Sequence, residues 1–170
     1  WKNRKLIIKS LKKNNMNTYF YAPKEDVCHR LYWRKKYSKK WRLSFQNFIQ
    51  ISKKNNIKVI AGVAPGLDFN FKELNDISKS NKKTDFLFLL NKARQLLKDG
   101  ASSIALMLDD IPNDFKKKFG TNVSEGTYHA ILANKLTKDL GQNIFFVPRI
   151  YADELIHDDP FYLEDLSKTL

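Results

Sequence analysis

Two consecutive carboxylates, Asp109-Asp110, close the apolar run Ser103–Leu108 and precede Ile111-Pro112. Neighbouring side chains in a regular strand point to opposite faces, so adjacent acids share a pocket only where the strand ends and the backbone turns. This position allows that. Two such charges side by side resist ionising together, which predicts a raised proton affinity for one of them and a general acid usable near neutral pH. The same dipeptide also fits a helix N-cap, an ordinary loop pair, or a Mg²⁺ site with a phosphate ester as substrate.

A second segment, Tyr19-Phe20-Tyr21-Ala22-Pro23-Lys24-Glu25-Asp26, ends an aromatic run in proline. Proline cannot continue a strand ladder, so the chain turns and presents Lys24 at the strand mouth. Lys24 there can donate to a sugar hydroxyl or balance the acidic pair; a plain surface lysine is the bland alternative. His29-Arg30 and Trp33-Arg34 follow, mixing aromatic planes with fork-shaped donors. They either line a glycan cleft or pack and ion-pair a long loop onto the domain. Cys28 is the single cysteine, and His29, His129 and His157 lie far apart with no HExxH or HxH spacing. We therefore expect no internal disulfide, no metal site and no cofactor.

The elements that must position these groups are legible as runs and stripes. Thr18–Ala22, Lys58–Val63, Ser103–Leu108 and Asn143–Val147 are near-continuously apolar, as buried parallel strands require. Between them lie helical stripes. Leu6, Ile7 and Leu11 belong to a basic helix ending around Asn14-Asn15, and Trp41, Phe45, Phe48, Ile49 and Ile51 to one over 38–54. A third starts at the N-cap Thr84 and stops at Gly100, and a fourth runs from about Ser124 to Leu140 with Gly141 as its stop. An irregular acidic tail follows the last strand. Strands recurring every roughly forty residues, each after a helix, give right-handed βαβ units. Polar residues follow every strand, at Pro23–Asp26, Pro65–Asp68, Asp109-Asp110 and Arg149–Asp153, and no GxGxxG or GxxxxGK[ST] is present. That favours a (β/α)₈ barrel over an open doubly wound sheet.

The chain has 170 residues and a net charge of +13, which invites a nucleic-acid reading. The excess is mostly lysine, scattered in pairs such as Lys12-Lys13, Lys35-Lys36 and Lys53-Lys54, whereas bidentate phosphate clamps favour arginine. We expect solvated faces and no nucleic-acid partner. No stretch approaches the roughly eighteen apolar residues of a membrane span, and Leu6-Ile7-Ile8 is too short for a leader core. With its lone thiol, the chain suits a reducing, cytoplasmic setting.

In these residues the chain resembles glycoside hydrolase family 84, the protein O-GlcNAcases and related bacterial N-acetylglucosaminidases. The blocks are Met16–Asp26, His29-Arg30, Trp33-Arg34 with Tyr37, Ala64-Pro65-Gly66-Leu67-Asp68-Phe69, Ser103–Ile111, and Phe145–Tyr151. They occur in the family's order and span nearly the whole chain. The resemblance implies a (β/α)₈ barrel that removes β-linked N-acetylglucosamine with retention. The substrate's own acetamido oxygen would attack the anomeric carbon, in the substrate-assisted class that departs from the two-carboxylate scheme. By motif position, Asp109 would orient the acetamido N–H and Asp110 would serve as acid and then base. Lys24 would bind a sugar hydroxyl, and Tyr151 would face the acetamido group. The implied partner is an N-acetylglucosamine-bearing glycan or glycoprotein.

One block departs. The family reads Pro-Thr-Glu-Tyr where this chain has Pro148-Arg149-Ile150-Tyr151, setting a bulky cation and an aliphatic side chain beside the pocket. Residues 1–170 are expected to form one partial catalytic barrel, helix one to strand five, with about four parallel strands. Four strands leave open parallel edges and an uncovered inner face, so the isolated segment is expected to be poorly soluble, dimeric or inactive. A non-catalytic glycan-binding remnant is the alternative.

Overall fold

The four apolar runs form one parallel sheet in the order β1-β2-β3-β4, from β1 (Thr18–Tyr21), β2 (Lys58–Val63), β3 (Ser103–Met107) and β4 (Phe145–Val147). The computed structural model describes residues 1–75, 84–120, 122 and 124–170. Register pairs Tyr21 with Ala61 and Ala61 with Ile104, and these three belong to the buried core beneath the helices. The next row, Gly62–Ala105–Phe145, turns to the opposite face. There the edge-strand residues Phe20 and Phe145 are open to solvent, while Ile60 and Ala105 on the central strands are buried.

The helices are α1 (Lys2–Lys13), α2 (Lys39–Lys54), α3 (Asp85–Lys98), α4 (Phe115–Phe119), α5 (Glu125–Leu140) and α6 (Tyr162–Thr169). Ser38, Thr84 and Ser124 cap α2, α3 and α5 by accepting the backbone N–H of Trp41, Leu87 and Thr127. Gly141 stops α5 in the left-handed conformation, at φ 67°. Aromatic rings lock β1 to its neighbours: Trp1 stacks on Tyr21 at 5.7 Å, and Phe45 of α2 meets Tyr21 edge-on at 5.4 Å. These contacts hold the strand whose end carries Lys24.

The acidic tail is not irregular. A 3₁₀ turn over Asp153–Asp158 leads into α6, which lies along α5. Gly126 makes the seat, because a Cβ there would stand 2.2 Å from the Tyr162 carbonyl oxygen. The short α4 and the 3₁₀ turn Phe71–Asn75 also go beyond the sequence reading. Among the described residues no helix is long and apolar enough to cross a membrane.

Candidate active site

The regular ladder of β3 runs out at Leu108, whose N–H donates to the Val147 carbonyl at 2.9 Å. Asp109 follows, half-buried, with Oδ1 sealed from water and without a hydrogen-bond partner. Asp110 then takes a left-handed backbone, φ 54°. A non-glycine residue there costs on the order of 1 kcal/mol, least for Asp and Asn, so something must hold it. On the far side of the turn, Ile111 packs against Gly66 of the β2 loop, where a Cβ would come within 2.9 Å of the isoleucine Cγ2. The left-handed step breaks the alternation that would otherwise send adjacent side chains to opposite faces.

Cations from the β1 loop grip this turn. The Lys24 ammonium donates to Asp110 Oδ2, and an Arg30 Nη2–H donates to the Asp110 main-chain carbonyl, with Arg30 Nη1 4.0 Å from Oδ2. Lys24 is largely exposed, its side chain 76% accessible, whereas that of Arg30 is 18% accessible. The bond from Lys24 and its charge hold the Asp110 carboxyl below the usual carboxylate range. Arg30 and the facing Tyr151 hydroxyl act in the same direction. Bonding to Asp110 correspondingly raises Lys24, and Asp109 adds a smaller push. This corrects the expectation drawn from the two adjacent acids. Asp110 is pulled towards its charged form because two cations, rather than Asp109 alone, set its field.

The long segment after β1 is anchored at several points. His29 is buried, and its Nδ1–H donates to the Gly62 carbonyl at 2.9 Å, which assigns the tautomer because a carbonyl can only accept. Gly62 makes room for the ring: a Cβ would stand 3.2 Å from His29 Cε1 and 2.8 Å from Met107 Sδ. Burial pushes the His29 pKa down and keeps the ring neutral. Lys92 of α3 donates to the Cys28 carbonyl at 3.1 Å. Trp33 Nε1–H donates to Asp68 at 2.7 Å, and Arg34 forks onto Asp85, with Nε 2.6 Å from Oδ1, while also bonding Asp68. Trp33 and Arg34 therefore take the packing option left open by their sequence; Arg30 alone of this group reaches the acids.

Tyr151 stands at the end of the β4 loop, more than half exposed. Its two predecessors turn away, which corrects the expectation that they stand beside the pocket. Arg149 is 3% exposed and makes Nε–H bonds of 2.9 Å to both Glu125 oxygens and an Nη1–H bond of 2.8 Å to Asp158. Ile150 packs with Ala130, Tyr162 and Leu166 between α5 and α6. Below them the Tyr162 hydroxyl accepts the Arg149 backbone N–H at 3.0 Å and shares a 2.8 Å hydrogen bond with His129 Nδ1. His129 Nε2 lies 3.7 Å from Glu125. Burial, and secondarily Arg149, lower the His129 pKa to about 3.

Of the four site residues expected from sequence, Lys24 and Asp110 are in direct contact, Tyr151 faces Asp110, and Asp109 adjoins them with an unsatisfied acceptor. Arg30 is the member that sequence reading left without a role. Among the described residues no group of three His, Cys, Asp or Glu side chains is placed to hold a metal ion.

Comparison with known proteins bears on both family and fold. A family model described as beta-N-acetylglucosaminidase matches residues 1–170. The protein O-GlcNAcases of Rattus norvegicus and Mus musculus are each 33% identical over 111 residues, 65% of this chain and 11% of theirs. The solved structure of CpGH84B superposes with a TM-score of 0.81 at 28% identity, covering 99% of this chain and 29% of that one. A mutant of the Thermobaculum terrenum O-GlcNAc hydrolase gives a TM-score of 0.81 at 22% identity, covering 99% of this chain and 36% of its own, and supports the fold. The four-stranded sheet with its helices is thus a section of a (β/α)₈ barrel.

Proposed function

The chain belongs to the beta-N-acetylglucosaminidase family, and from that premise we propose that its site removes β-linked N-acetylglucosamine from a glycan or glycoprotein by retaining, substrate-assisted acid/base catalysis. One observation carries the reading. The half-buried Asp109 adjoins an exposed, cation-held carboxyl on Asp110, which Tyr151 also faces. A carboxylate beside such a group is a strong acceptor for an N–H, and an acetamido N–H is such a donor.

In this reading Asp109 accepts the acetamido N–H and aims the amide oxygen at the anomeric carbon. That oxygen bonds to the carbon as the glycosidic C–O bond breaks. Asp110 gives its proton to the leaving oxygen, producing a cyclic intermediate fused to the sugar. Water then attacks the anomeric carbon from the vacated side, Asp110 takes its proton, and the ring reopens with net retention. Tyr151 faces the acetamido group from the β4 loop.

An acid must be protonated to act, yet Lys24 holds Asp110 in the charged form. The exposed lysine arm resolves this. A sugar hydroxyl that takes the Lys24 ammonium removes the nearest cation, and the sugar body excludes water from the carboxyl. Both raise its proton affinity. Substrate arrival thereby loads the acid.

The test is leaving-group dependence in the full-length protein. Asp110→Asn should lose roughly 10²–10⁴-fold in kcat/KM on an alkyl or seryl N-acetylglucosaminide and far less on an activated aryl glycoside, which needs no protonation. Asp109→Asn should lose on both, because the amide nucleophile serves every substrate. Equal losses for Asp110→Asn across leaving groups would reject the assignment.

A further inference from the structure

We propose that Arg30 is a positioning residue for the acid: it clamps the Asp110 carbonyl and so keeps the left-handed turn that aims the Asp110 carboxyl at the leaving oxygen. The inference rests on the acid/base reading of Asp110 given above.

An arginine drawn to a carboxylate by charge alone settles into a two-pronged fork on its oxygens. Arg30 does not. Its hydrogen bond goes to the main chain of Asp110, and its other terminal nitrogen stays 4.0 Å from the carboxylate. The carboxylate itself is bonded by Lys24, a long exposed arm that is free to swing. The two cations therefore divide the work. Lys24 holds the reacting group and can let go; Arg30 holds the backbone beneath it and stays.

Arg30 is suited to staying. The adjacent His29 carbonyl accepts the Ala64 N–H at 3.0 Å, and the His29 ring is pinned to Gly62. The Cys28 carbonyl is braced by Lys92. Arg30 thus springs from a segment fixed to β2 and reaches across it to the end of β3. Its target lies beyond the last ladder bond of that strand, at Leu108. The turn also has a non-glycine residue at positive φ, the kind of backbone that needs an outside restraint.

The experiment compares Arg30→Ala, Arg30→Lys, Asp110→Asn and the Arg30→Ala/Asp110→Asn double variant in the full-length protein. Each is assayed on an activated aryl and an unactivated alkyl N-acetylglucosaminide. Arg30→Ala should lose on the order of 100-fold in kcat/KM on the alkyl substrate, as for a reacting group displaced by about an ångström, and within roughly threefold on the aryl one. Arg30→Lys, which keeps one donor, should recover part of the alkyl rate, and it stands in if the alanine variant does not fold. In the Asp110→Asn background the Arg30 change should add almost nothing. Equal losses on both substrates, for whichever variant folds, or an undiminished loss in the double variant, would overturn the proposal and leave Asp110 as the acid. An Asp110→Asn variant indifferent to leaving group would remove the acid assignment and Arg30's role together.

Discussion

Two clusters of opposite charge flank the β4 loop, and they are built to contrary specifications. At the strand mouths, Lys24 and Asp110 meet in the open, with side chains 76% and 37% accessible. Beneath α6, Arg149 and Glu125 meet with side chains 3% and 2% accessible, flanked by Asp158, His129 and Tyr162. Exposed pairs contribute little to stability and exchange partners readily. A buried pair is expensive to break, because removing one partner strands the other's charge. The contrast separates a contact that solvent and ligands can remake from one that has to last. It also explains how Pro148-Arg149-Ile150-Tyr151 departs from the family block while Tyr151 still faces Asp110. The departure is absorbed on the sealed side.

The comparison breaks most decisively at Arg149. Arg149→Ala should cost about 3–5 kcal/mol in denaturant unfolding, and Arg149→Met with Glu125→Leu should recover most of it. A single-variant loss under about 1 kcal/mol would mean that water reaches the cluster. Acid sharpens the contrast next. The folded-state pKa of His129 lies near 3, below its ordinary 6.5. The unfolded chain therefore takes up a proton that the folded one refuses between these values. Stability is full above about pH 6.5 and declines as pH falls, by at most about 1.4 kcal/mol per pH unit per histidine, with neutral His29 adding to the slope. Glu125, whose carboxyl is raised by burial, works in the opposite sense as pH falls, so the histidine part is the slope removed by His129→Asn, and a slope that this substitution leaves unchanged would contradict the sealed environment. The smallest stability effect belongs to Lys24→Ala, whose unfolding midpoint should match the unaltered protein. Its signature is electrostatic. The Asp110 pKa, followed by carboxyl carbon NMR in the free protein, should rise towards the usual carboxylate value, and an unmoved titration would break the link between the two groups.

Much of the frame was legible in the residues. The strands follow from β-branched and aromatic runs too apolar for anything but a covered sheet, and the start of α3 from Thr84, with an oxygen to offer the third N–H; Ser38 and Ser124 cap α2 and α5 in the same way. α6 escaped because eight residues with only Tyr162 and Leu166 turned inward make a faint stripe, and Glu164 and Asp165 read as acidic tail. Those acids sit in its first turn, where they suit the positive end of a helix, and that was the available clue. At the site, the local signals (two acids at a strand end, a proline before Lys24) suggested the partners. The charge balance did not follow, since nothing in the spacing of positions 24, 30 and 110 says that the loops after β1 and β3 converge. Asp110's depressed proton affinity and Arg30's grip on its backbone are both properties of that convergence.

The Arg149–Glu125 pair has a historical consequence. Residues from a loop and a helix, 24 positions apart, share one enclosed charge balance, so neither can drift alone. A lineage exchanging Arg149 for a small neutral side chain must alter Glu125 almost at once or pass through a poorly folding ancestor. The two positions should therefore change hands as a unit among the descendants of this chain, whatever happens to the exposed residues at the strand mouths next door.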